Sequence, residues 1–113
     1  MKAKFKLNGK EIVIDNIRKV SGLGKLAGLM FKNKETDALL FSFNKPGKYS
    51  IHSYFCQPFL AIWLNNGKIV EHKLVAPNKV IKPENEFDSL IEIPFNDRYK
   101  QVFNFFVDGE RFK

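Results

Sequence analysis

Cysteine occurs once in this chain, at Cys56, tryptophan once, at Trp63, and histidine twice, at His52 and His72. A lone cysteine excludes an intramolecular disulfide and, beside only two histidines, makes a thin ligand supply for zinc. Neither a disulfide scaffold nor a metal-folded domain is expected. Arginine is scarce too: sixteen of the nineteen basic residues are lysine, which suits solvation or diffuse attraction to polyanions better than bidentate phosphate recognition. No apolar run approaches the roughly 20 residues of a membrane helix, and the start, MKAKFKLNGK, lacks the apolar stretch of a signal peptide. These absences predict a cytoplasmic protein without membrane, metal or cofactor.

What the chain has in quantity is phenylalanine, twelve in 113 residues. Aromatic and β-branched residues dominate its apolar positions, which favours sheet over helix bundle. The length suits a single domain, residues 1–113, large enough for one core. The net charge of +7 is unevenly placed: residues 1–50 hold eleven Lys/Arg against four Asp/Glu, whereas residues 51–113 hold eight of each.

The stretch SIHSYFCQPFLAIWLNNGKIVEHKLV (Ser50–Val75) organises the reading. FLAIWL (Phe59–Leu64) is apolar at every position between Pro58 and Asn65-Asn66-Gly67, the mark of a strand buried on both faces. Asn66-Gly67 supplies two residues tolerant of positive φ, so Lys68–Val75 should return antiparallel in a two-residue hairpin. That register sets Leu64 opposite Ile69, Trp63 opposite Val70, Ala61 opposite His72 and Phe59 opposite Leu74. The face carrying Leu60, Ile62, Leu64 and Ile69 then also carries Glu71 and Lys73, and is expected to be semi-exposed or covered near its edge.

Upstream, Asn8-Gly9 predicts a hairpin pairing Phe5 with Ile12, Leu7 with Lys10, Ala3 with Ile14 and Lys6 with Glu11. Ile17–Val20 forms a short strand, and Ser21 caps a short, glycine-weakened helix over Gly22–Ala27. Ala38–Phe43 is a strand, followed by a type II turn at Pro46-Gly47, and Ser50–Cys56 is another. APNKVIKPENE (Ala76–Glu86) reads as an irregular crossing arm. Phe87–Ile93 is a strand ended by Pro94, with Phe87 on the side of Ile91. Asn96–Phe103 makes one or two capped helical turns before a last strand around Phe105–Phe112. The fold class expected is mainly β, an antiparallel sandwich or barrel-like fold with one or two short helices.

Alternation groups His52, Tyr54 and Cys56 on one side of their strand, the candidate ligand-binding set. An imidazole beside a phenol and a thiol can act as polar anchor, base or ligand. Direct pairing of Cys56 with His52 is excluded on a regular strand, where four residues span roughly 13 Å. The basic residues Arg18, Lys19, Lys25, Lys32 and Lys34 form the alternative, an electrostatic nucleic-acid site. GLGKLAG (Gly22–Gly28) has neither the spacing nor the Lys-Ser/Thr pair of a phosphate loop. Glu84, Glu86, Asp88 and Glu92 concentrate the acidic charge, and Glu92 with His52 is the pair a hydrolase or isomerase would draw on.

The segment GKLAGLMFK (Gly24–Lys32), then ALLFSF (Ala38–Phe43), Pro58 before an apolar strand and hairpin, Pro77, Pro83 and LIEIP (Leu90–Pro94) together resemble the family called domain of unknown function 192. The resemblance implies a compact antiparallel β fold with short helices and no established activity. It also marks a departure: family members carry an Asp two residues after the proline matched by Pro58, where this chain has Leu60. The function expected is a non-catalytic binding module for a small polar ligand, such as a sugar, or for a protein partner.

Overall fold

The structure is a computed structural model that describes residues 2–7, 9–20, 37–53 and 57–106. Its strands are β1 (Ala3–Leu7), β2 (Lys10–Ile14), β3 (Ile17–Val20), β4 (Ala38–Gly47), β5 (Ile51–His52), β6 (Phe59–Asn65), β7 (Lys68–Val75), β8 (Val80–Ile81) and β9 (Phe87–Pro94). A 3-10 turn at Asp97–Tyr99 leads into helix α1 (Lys100–Phe106). The chain is mainly β, with a five-stranded sheet in the order β3-β4-β9-β6-β7 and two-stranded ribbons β1-β2 and β5-β8. The expected helix at Gly22–Ala27 lies outside the described residues.

β6 and β9 occupy the middle of the large sheet because both are apolar on both faces. Leu60, Ile62 and Leu64 join Ile91 and Ile93 on one face, against Ile12 and Ile14 of β2 and Val102, Phe103 and Phe106 of α1. Phe59, Ala61 and Trp63 join Leu39, Phe41 and Leu90 on the other. Of the two states expected for this face, semi-exposed or covered near its edge, it is covered, and over its centre as well, with Leu60 and Ile62 fully buried. Helix α1 and the N-terminal hairpin cover it, and neither placement follows from local pattern.

The β1-β2 register is the one predicted, from Ala3↔Ile14 to Leu7↔Lys10 with Lys6 across from Glu11, and Gly9 takes the positive φ (78°) that the turn requires. The central hairpin agrees only at its tip. Asn66 and Gly67 have φ of 54° and 78°, and Leu64 pairs with Ile69, but a bulge follows and Trp63 pairs with Glu71, Ile62 with His72 and Leu60 with Leu74. One extra residue, Val70, reverses the facing of everything beyond it. Leu74 consequently joins the helix-side core, and His72 meets the Phe106 ring edge-on at 4.8 Å. The bulged strand is held from outside: Asn85 donates its side-chain amide to the Val70 carbonyl (3.3 Å), and the Glu71 carboxylate accepts from the backbone N–H of Glu84 (2.9 Å) and Asn85 (3.3 Å).

Four further expectations are corrected. Pro46-Gly47 is not a type II turn: β4 runs on through Gly47, whose φ is not positive, and the ladder to β9 is interrupted between Ser42 and Gly47. Pro46 sits in that interruption, where no ladder donor is needed. The Tyr49 ring lies over Gly47, 2.8 Å from where a Cβ would stand. Phe87, opposite Gly47, accordingly packs on the Leu90 side rather than with Ile91. The arm after Val75 is not wholly irregular, because Val80–Ile81 pairs with β5. Phe105 and Phe106 belong to α1 and not to a final strand.

The Asn96 cap is as expected, its side chain accepting from Arg98 N–H at 3.0 Å. It delivers Tyr99 into the core, 2 % exposed. The Tyr99 hydroxyl accepts from the Ala38 N–H at 2.8 Å and donates to the Asn16 carbonyl at 2.8 Å. One side chain thus ties the start of β4 and the β2-β3 turn to the helix. Burial pushes the Tyr99 phenol above its ordinary value, more than the Ala38 hydrogen bond lowers it.

Candidate binding surface

His52 lies on the β5-β8 ribbon, half-buried and paired with Val80. The ribbon is anchored by the next residue. Ser53 is fully buried; its hydroxyl donates to the Ala76 carbonyl (2.6 Å) and accepts from the Lys79 N–H (2.7 Å). Its backbone N–H donates to the Lys79 carbonyl (2.8 Å), and its carbonyl accepts from the Asn78 N–H (2.9 Å). Asn78 turns the chain with a φ of 60°. Below, Ile51 and Ile81 rest on the Trp63 side of the sheet. Above, Val80 is 60 % exposed. The ribbon is therefore a clamped platform with an apolar underside, and it carries the His52–Val80 pair beside the Ser53 clamp. Tyr54 and Cys56, the other two members of the predicted set, lie outside the described residues.

The approach to the ribbon is aromatic. Tyr49 stacks on Phe43 at 4.7 Å, and both meet the Phe87 ring edge-on at 5.7 and 5.4 Å. The Tyr49 hydroxyl donates to the Lys45 carbonyl at 2.8 Å, closing a tight loop that leaves the ring 39 % exposed. Beneath it Trp63 is fully buried, and its indole N–H has no hydrogen-bond partner.

The nucleic-acid set does not gather in the described part of the chain. Arg18 bonds Asp37 at 3.5 Å, and Arg98 closes on the other oxygen of the same carboxylate. Arg18 thus helps neutralise Asp37 at the start of β4, and Lys19 follows it on β3, the edge strand. Lys25, Lys32 and Lys34 lie outside the described residues.

Two of the four acidic residues have defined surroundings. Asp88 accepts from the Asn66 N–H at 3.2 Å and steadies the β6-β7 turn. Glu92 is buried at 6 % exposure, level with Leu39 and Ala61 in the large sheet, while His52 belongs to the ribbon. Leu60, where the resembled family has Asp, is fully buried in the helix-side core and offers no polar group. Among the described residues no group of three His, Cys, Asp or Glu is placed to hold a metal ion, and no helix is long and apolar enough to cross a membrane. A shallow groove of about 180 Å³ lies between β2 and α1, lined by Glu11, Ile12, Val13, Gln101, Val102 and Phe105. That is below the usual range for a small-molecule site, and it is on the opposite side of the large sheet from the ribbon.

Sequence reasoning missed Ser53 and Tyr49. Nothing local marks a serine as the clamp of a ribbon, and Tyr49 owes its position to a glycine that pairs with Phe87.

The described residues form a small, mainly β fold. Its backbone is similar to two solved structures. One is a "putative transcription regulator" from Sinorhizobium meliloti 1021, with a TM-score of 0.72 and 15 % identity over 89 % of this chain and 83 % of that one. The other is a protein of unknown function from Novosphingobium aromaticivorans, with a TM-score of 0.67 and 14 % identity over 89 % and 76 %. At such identities the likeness shows the fold alone. No family model matches the chain, and neither does any curated protein.

Proposed function

We propose that the chain is a non-catalytic binding domain whose contact surface is the β5-β8 ribbon around His52, and that it belongs with the domain of unknown function 192 family it resembles. The ligand is a small polar molecule, a sugar being the first to try, or a protein partner. The observation that carries this reading is the clamp at Ser53. Hydrogen bonds from both its hydroxyl and its backbone hold His52 and Val80 in one arrangement before anything binds, so that little ordering cost is left for the complex. The Asp88 carboxylate is engaged by the Asn66 N–H and Glu92 is buried in the large sheet, which supports a binding role over acid-base chemistry at these two carboxylates. The similarity to a "putative transcription regulator" adds a fold precedent and no activity.

The test is an amide chemical-shift titration with pooled mono- and oligosaccharides, repeated on His52→Ala and Val80→Ser. Shifts centred on Ile51, His52, Val80 and Ile81 that vanish in both variants are the expected result. Shifts centred on Val13 and Gln101 would place the site in the β2-α1 groove and end this proposal.

A further inference from the structure

Pairing of β5 with β8 does more than display His52. It brings together two segments far apart in sequence, residues 43–53 and 76–83, which contain four lysines (Lys45, Lys48, Lys79 and Lys82) and no acid. The placement is fixed by bonds already described: Lys45 receives the Tyr49 hydroxyl, Lys48 adjoins Tyr49, Lys79 is bonded to Ser53 on both its N–H and its carbonyl, and Lys82 follows Ile81. All four lysines are exposed. One acid adjoins the patch in space, Glu86, the chain neighbour of the Phe87 that pairs with Gly47 and meets Tyr49, and the nearby Glu71 carboxylate accepts from the loop amides of Glu84 and Asn85. Among these lysines the Tyr49 ring stays 39 % exposed while stacked on Phe43 and braced by Phe87.

We infer that this surface binds single-stranded nucleic acid, with the lysines following the phosphates and Tyr49 taking a base. The inference rests on the ribbon being the contact surface and assigns it a further ligand class, beyond the small polar molecule or protein partner proposed above. Charge complementarity supplies the attraction. The partly exposed, braced aromatic ring distinguishes a nucleobase partner from an acidic peptide, because every base has a face that stacks and a run of carboxylates has none. Lysines rather than arginines suit a strand held by its charge, without readout of base edges.

The experiment is fluorescence anisotropy of the full chain with a labelled oligouridylate, over a salt series. Neutralising four phosphates on a single strand gives a log-log salt slope of about −2.8, so going from about 50 to about 200 mM salt should weaken binding roughly 50-fold. Lys79→Gln with Lys82→Gln should lower the slope to about −1.4 and the loss to roughly 7-fold. Tyr49→Leu should weaken binding roughly 10-fold at fixed salt with the slope kept, and Tyr49→Phe should restore it. The two lysine substitutions are on exposed side chains, so their effect is readable even if the Tyr49→Leu chain folds poorly.

Absence of binding at low salt, or a slope unchanged by the lysine substitutions, overturns the inference. So does competition by a polyglutamate peptide as effective as unlabelled oligouridylate, which would make the partner an acidic peptide. Saccharide-induced shifts at His52 in the same preparation would show that the ribbon still binds when the nucleic-acid inference has failed.

Discussion

Removing a single oxygen, in Tyr99→Phe, should cost this protein about 2 kcal/mol. The ring's packing is conserved in the substitution, so the loss is confined to two hydrogen bonds, to the Ala38 N–H and the Asn16 carbonyl. These partners are not equivalent. Asn16 is exposed and can bond water instead, whereas Ala38 is fully buried and its N–H would be left without an acceptor. An orphaned buried donor costs roughly 1–3 kcal/mol, which for a domain of this size corresponds to a fall in melting temperature of roughly 10 °C. Urea denaturation at neutral pH, followed by circular dichroism, measures it. The pH dependence gives an independent check on the same group. The Tyr99 phenol titrates higher in the folded chain than its ordinary value, whereas in the unfolded chain it ionises near pH 10. Its contribution is therefore complete below about pH 10 and is lost as pH rises through the folded value. The gap between parent and variant should narrow on the alkaline side. A variant within about 0.5 kcal/mol of the parent at neutral pH, or a gap that widens with alkali, would refute the claim that this hydroxyl bolts three segments together.

Gly47→Ala would put a methyl 2.8 Å from the Tyr49 ring and lift it from Phe43 and Phe87. A cost of about 1 kcal/mol is expected from the lost ring contacts, and most of it should disappear when Tyr49 is first replaced by Ser, a coupling that a double-mutant cycle measures directly. Ser53→Ala strips the buried ribbon of the hydroxyl's bonds to Ala76 and Lys79. It should destabilise by about 1–3 kcal/mol and speed hydrogen exchange at the Lys79 amide more than at amides of β9; uniform acceleration across the sheet would mean that the serine is not a local clamp.

The parts of this fold legible in the sequence are those set by a dipeptide or by strict alternation. Gly9 fixed the β1-β2 register along its whole length, and the unbroken apolar run of β6 marked an interior strand. The β6-β7 register was legible only as far as Leu64↔Ile69, because the bulge at Val70 is stabilised by Asn85 and by amides that Glu71 gathers from the loop before β9. Such a residue cannot be weighed until the chain has folded back on itself. The partners of the Tyr99 hydroxyl, Ala38 and Asn16, were not legible for the same reason. Near the ribbon, alternation separated His52 from Ile51, which rests on the Trp63 side of the sheet. The lysines around the ribbon were not legible, since the excess charge lies in residues 1–50 and Lys79 and Lys82 come from a part of the chain with no net charge. The segment with Lys79 and Lys82 meets the one with Lys45 and Lys48 only through the pairing of β5 with β8.

The position of β9 bears on how the molecule assembles. It is the last strand among the described residues, yet it is the one that joins β4 to β6 in the large sheet. Until residues 87–94 insert, β3 with β4 and β6 with β7 are separate two-stranded pieces, each with an open apolar edge, and isolated strand pairs of that kind are marginal in water. Assembly must therefore wait for closures across long stretches of chain, which places folding toward the slow, millisecond-to-second end of the range for small domains. During that interval the interior edges of β4 and β6 are the surfaces most open to pairing with another molecule. The strand that gives the finished sheet its centre thus also sets how long the unfinished one stays vulnerable to aggregation.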